Sequence, residues 1–170
     1  MTILDTIIER KKIEVAIAKE KVSLEELRQY PLFERTCYIL KDSVLDPQRT
    51  GIIAEFKRAS PSKGLINGEA AVEDVVAGYQ SAGASAISVL TDADFFQGSL
   101  DDLTAARKAL RIPLLRKEFI VDSYQIAEAK AYGADIILLI AACLSPDEVL
   151  TLANYAKTLG LNVLLEVHNE

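Results

Sequence analysis

One pattern restricts this chain more than any other. A helix ending in glycine, then a small or polar step, then an apolar run recurs as SAGASAISVL, AYGADIILLI and TLGLNVLLEV. Gly83, Gly133 and Gly160 fall where a helix closes in a left-handed residue, a conformation that glycine adopts at little cost. The runs Ile87–Leu90, Ile136–Ile140 and Val163–Val167 are almost continuously apolar. Strands covered on both faces read this way, and such strands belong to parallel sheets. Between them lie segments with helical punctuation. Asp122 with Gln125 three residues on caps a helix over 123–132. Ser145-Pro146-Asp147-Glu148 supplies a cap, a proline at the first helical position and acids in the first turn. A further helix is expected over 99–110. The spacing predicts five strands, 52–57, 86–90, 112–117, 135–140 and 162–167, separated by four helices. Such βα alternation makes either a doubly wound sheet or a (βα)8 barrel.

Residues 1–50 are different. Ile3 to Lys19 has mostly helical apolar spacing with Lys and Glu between, and Ser23 with Glu26 reads as a capping box opening a second short helix that Pro31 ends. Residues 31–50 carry turn signals and read as a connector. The expected division is an N-terminal helical extension, 1–50, and a strand–helix region, 51–170. With 50% hydrophobic residues the chain has ample core material. No apolar run reaches the roughly 18 residues of a membrane span, and the N-terminus has no signal-peptide pattern. Cys37 and Cys143 lack metal-ligand spacing and are expected reduced and buried, as in a cytoplasmic protein. A single histidine, His168, excludes a multi-histidine metal site. The net charge of −6 speaks against nucleic acid as a partner and leaves an anionic small molecule open.

The stretch GIIAEFKRASPSKG, residues 51–64, carries the first chemical signal. Glu55 and Lys57 stand two apart, on one face of a strand. A structural ion pair at a strand end is one reading, and chemistry at the end of a parallel strand is the other. The third and fifth strands also end in ionisable residues, Arg116-Lys117-Glu118 and Glu166, while the second and fourth do not. In a barrel, alternate strands fill the same interior layer, so Lys57, Lys117 and Glu166 would converge there. A doubly wound sheet has no such rule, and the barrel is preferred on this ground. No P-loop, G-x-G-x-x-G or nucleophile triad is present, which argues against nucleotide and NAD chemistry.

The segments IIAEFKRASPSKG, LTDADFFQGS, LLRKEFIVDSYQIAEAKAYGADIILLIAACL and LLEVHNE together resemble the indole-3-glycerol phosphate synthases of tryptophan biosynthesis. The resemblance implies a (βα)8 barrel with an N-terminal helical extension over its mouth. It implies conversion of 1-(2-carboxyphenylamino)-1-deoxyribulose 5-phosphate to indole-3-glycerol phosphate, with loss of carbon dioxide and water and no cofactor or metal. By motif position, Lys117 is similar to the acid that protonates the ribulose carbonyl oxygen, and Glu166 to the base of the later steps. Lys57 would hold the substrate carboxylate and assist dehydration, Glu55 would orient the lysines, and Ser60 would contact the phosphate. Pro61, Phe96, Phe119 and Leu139 are candidate pocket walls, with core or loop packing as the alternative. Arg58, Lys63 and Arg116 are read as solvated rim charges, and His168 as non-catalytic.

A barrel of this kind needs about 250 residues. The chain of 170 residues is expected to be truncated after the fifth strand, inactive alone, and prone to self-association through exposed edges. The rival expectations are another phosphate-sugar barrel isomerase and a non-catalytic half-barrel that acts by association.

Overall fold

The structure, a computed structural model, describes residues 1–169. Three helices come first: α1 (Ile3–Lys21), α2 (Leu24–Arg28) and α3 (Leu40–Leu45). Strand β1 (Ile53–Phe56) is followed by a small hairpin of β2 (Ala59–Ser60) and β3 (Gly64–Leu65). Then α4 (Val72–Ser81), β4 (Ala86–Leu90), α5 (Leu100–Ala109), β5 (Leu114–Lys117), α6 (Ser123–Ala131), β6 (Ile136–Ile140), α7 (Pro146–Thr158) and β7 (Asn162–Glu166) alternate. The five long strands form one parallel sheet in the order β1-β4-β5-β6-β7. Each strand pairs with the one before it, so the order never reverses. A doubly wound sheet reverses at a switch point, and this sheet is an arc of a barrel.

The local signals hold where they depend only on neighbouring residues. Gly83, Gly133 and Gly160 have φ of 96°, 109° and 76°. Both capping boxes of the later helices form, at Asp122/Gln125 and at Ser145/Glu148. The Ser23 signal is half right: its hydroxyl accepts from the Glu26 N–H, but no return bond from the Glu26 side chain completes the box. Within 31–50, expected as a connector, lies α3, which has no side-chain cap of its own. Six residues are too few to hold a helix in water. Asn162 Oδ1 accepts from the Leu40 N–H (3.1 Å) and Ser43 Oγ donates to the Ser85 carbonyl (2.5 Å), so tertiary contacts hold it.

The sheet has two apolar faces. Phe56, Ile87, Val89, Leu114, Ile137 and Leu139 point to the helices and form the main core. Ala86, Leu115, Ile136, Leu138 and Ile140 point inward, where Leu40 and Phe119 pack on them. A third cluster joins the N-terminal helices to α6 through Val15, Leu27, Tyr124 and Ala127. The N-terminal segment therefore spans both ends of the sheet. Lys11 of α1 meets residues just past the C-terminal ends of β4 and β5, whereas α3 sits by the N-terminal ends of β4 and β7. Cys37 and Cys143, expected buried, are free thiols and only half-buried. No helix among the described residues is long and apolar enough to cross a membrane.

Candidate active site

Strand parity places the first group of side chains. Phe56 is buried toward the helices, so its neighbours Glu55 and Lys57 face inward. Register does the rest: Glu55 lies opposite Ser88, and Leu90 opposite Lys117. Glu55 Oε2 stands 3.3 Å from Lys117 Nζ and accepts from Ser88 Oγ at 3.0 Å. Its other oxygen is 3.9 Å from Lys57 Nζ. The three charged side chains are about one-third exposed. One carboxylate thus lies between two ammonium groups at the C-terminal end of the sheet, where parallel α/β folds place their chemistry. Each ammonium keeps N–H directions free for an anionic or carbonyl oxygen. Ser88 is a member of this group that sequence reading missed. Its only signal was a polar residue at an inward-parity position in Ala86–Leu90.

Glu166 ends β7 opposite Ile140, with β6 between it and β5. Among the described residues the basic side chain it meets is His168, Nε2 to Oε1 3.0 Å, and not a lysine. His168 is largely exposed. Ser60 is buried in β2, where its hydroxyl accepts from the Lys63 N–H at 3.2 Å, and Pro61 beside it is exposed. Phe96 and Phe119 meet with ring centroids 6.1 Å apart. Leu139, expected as a pocket wall, instead lies fully buried on the helix-facing side; the inward residues of that strand include Leu138 and Ile140.

Two supposed rim charges are also corrected. Arg116 is buried, with Nη2 2.9 Å from Glu128 and Nη1 donating to the Gln125 carbonyl at 2.8 Å. It faces α6 because parity turns it away from Lys117. Arg58 pairs with Asp102 of α5 and lies 4.9 Å over the Phe56 ring. Lys63 is exposed as expected. Among the described residues no group of three or more His, Cys, Asp or Glu side chains is placed to hold a metal ion.

The site can be set beside known proteins. The profile of the family described as indole-3-glycerol phosphate synthase matches residues 4–170. Proteins named indole-3-glycerol phosphate synthase from Bacteroides thetaiotaomicron, Aliarcobacter butzleri and Polynucleobacter asymbioticus are 47%, 45% and 43% identical to it. Each comparison covers 98% of this chain and 64–66% of the relative, so the chain spans a little under two thirds of their length. Sheet order and sequence agree: this chain belongs to the indole-3-glycerol phosphate synthase family, whose fold is a (βα)8 barrel, and carries five of the barrel's strands.

Proposed function

We propose that this chain supplies half of the active site of an indole-3-glycerol phosphate synthase, a carboxy-lyase of tryptophan biosynthesis. The substrate is 1-(2-carboxyphenylamino)-1-deoxyribulose 5-phosphate. The observation that carries this reading is the Glu55-centred pair of lysines at the strand ends, 3.3 and 3.9 Å from the carboxylate. Ring closure develops negative charge on the ribulose carbonyl oxygen, and the Lys117 ammonium protonates it as the new carbon–carbon bond forms. Glu55, braced by Ser88, holds that ammonium in place. Lys57 holds the substrate carboxylate, which leaves as carbon dioxide, and assists departure of the hydroxyl as water. Glu166 serves the proton removal of the later steps, with His168 orienting its carboxylate. Ser60 is the phosphate contact within this chain, and the Phe96–Phe119 pair forms an apolar wall. The remaining substrate contacts lie on the part of the barrel that the longer relatives carry.

Joining residues 1–169 to the C-terminal third of the Bacteroides relative tests this reading. The chimera should form indole-3-glycerol phosphate, followed by indole fluorescence, while the 170-residue chain alone should not. In the chimera, Lys117→Ala should lower turnover by about 10²–10⁴-fold, the usual weight of a positioned acid. Turnover in that variant equal to the parent's would overturn the assignment.

A further inference from the structure

Ile7, Lys11 and Val15 are the buried residues of α1, one helical turn apart. An amphipathic helix normally keeps lysine off this stripe, yet Lys11 is only 3% exposed. Its ammonium lies 2.6 Å from Glu14 Oε2, 2.7 Å from Asp92 Oδ2 and 3.1 Å from Glu118 Oε1. Asp92 and Glu118 are buried as well, and each follows the end of a strand. At Asp92 the contact is ionic and off the hydrogen-bonding direction, for Oδ2 has no directed donor. Burial alone would lower the lysine's pKa; Glu118, Asp92 and Glu14 outweigh it and the net shift is upward.

The same two carboxylates hold the loops of the site. Asp92 Oδ1 accepts the Phe95 N–H at 2.7 Å. Glu118 Oε1 accepts the Phe119 N–H at 2.8 Å, and Oε2 accepts the Thr91 hydroxyl at 2.9 Å. Thr91 in turn accepts from Arg116 Nε at 3.0 Å. Phe96 and Phe119 therefore stand next to backbone groups tied to the carboxylates, and Lys117 lies between Arg116 and Glu118. Without the ammonium, buried Asp92 would have no cationic partner among the described residues, and Glu118 would keep only Arg116, 3.8 Å away and already serving Glu128. Unpaired buried charge is costly enough for the loops to move to water instead.

We propose that Lys11 is a positioning residue: from the N-terminal helix it clamps the loops after β4 and β5, and so sets Lys117 against Glu55 and Phe96 against Phe119. The helix is then an adjustable part of the site, and its docking and the lysine's geometry are one equilibrium. The importance of this for turnover rests on the reading of Lys117 as the acid, but the geometry does not, and the test separates them.

The test uses trace acetylation of the 170-residue chain across pH, with each lysine quantified by mass spectrometry. Lys11→Met should raise labelling of Lys117 roughly threefold, the weight of a partly exposed ion pair, and move its pH profile. Lys41, exposed on α3 at the other end of the sheet, should stay unchanged. Lys11→Arg, which keeps the charge, should restore the parent profile. An unchanged Lys117 in Lys11→Met overturns the proposal, as does failure of the arginine variant in a folded chain. If Lys11→Met unfolds the chain, Asp92→Asn is compared with Val15→Ala, which loosens the same helix without touching its charges. Higher Lys117 labelling in Asp92→Asn supports the clamp, and equal labelling overturns it.

Discussion

At the scale of single residues, Gly98 shows how a close backbone approach restricts sequence. A Cβ placed there would lie 2.1 Å from the Leu90 carbonyl oxygen, a backbone atom that cannot swing aside. The Gly98 N–H donates to the Asp92 carbonyl at 2.7 Å, which folds the β4–α5 loop back on its strand. Gln97 beside it adopts φ of 53°, an uncommon value for a residue with a side chain. Gly98→Ala should therefore destabilise the chain by about 1–3 kcal/mol, the cost of overpacking. A lower urea midpoint with unchanged slope would register it; a midpoint equal to the parent's would show that the loop yields freely. None of this was legible in LTDADFFQGS, because a glycine in a loop looks the same whether it gives freedom or clearance.

At the scale of elements, the N-terminal helices are bound to α6 by tyrosines. The Tyr124 hydroxyl donates to the carbonyls of Val22 (2.8 Å) and Ala18 (3.2 Å), at the end of α1. Tyr132 packs at a tilt on Tyr30, with centroids 5.6 Å apart. Burial first, then Glu128, raises Tyr124 from 10.0 to about 12. Burial first, then Tyr30, raises Tyr132 to about 12. A folded pKa above the unfolded one means that the associated stability is whole below pH 10 and is lost as pH rises toward 12. In a base titration followed by tyrosinate absorbance, two of the six tyrosines should ionise late, together with loss of helix signal. Tyr124→Phe should flatten the fall of stability over that range and cost about 1 kcal/mol at neutral pH through the lost hydrogen bonds. A pH dependence identical to the parent's would count against this account. Cap residues foretold where α2 and α6 begin, but not that α1 would end on a tyrosine of α6.

At the scale of the molecule, the sheet is an arc whose edges among the described residues are β1 and β7. Leu165 is 50% exposed on the outward face of β7, Val167 just past that strand is 59% exposed, and Ile52 is 58% exposed beside β1. Open parallel edges with apolar flanks favour pairing with another chain. The 18.6 kDa chain is therefore expected to run as a larger species in light scattering, and Leu165→Lys with Val167→Lys should shift it toward the monomer. A parent chain that is monomeric at all concentrations would refute this.

The sequence by itself determined the elements. Cap residues, left-handed glycines and apolar runs act over a few neighbours, so five strands, their alternating helices and the inward parity of Glu55, Lys57 and Lys117 could be read directly. The family could be read as well, because its motifs are long. Tertiary structure decided what meets what. In Ile136–Ile140 every residue is apolar, so the run carries no parity of its own; pairing of Arg116 with Ile137 turned Leu139 to the helices. Arg116 reads as a rim charge, and Lys11 is not set apart from the other Lys and Glu residues of its helix, because helix and strand periods describe a residue's own element and say nothing of the carboxylates across from it. Only the packing of α1 and α6 on the strand ends brings Glu118, Asp92 and Glu128 within reach of them, and burial then makes those contacts obligatory.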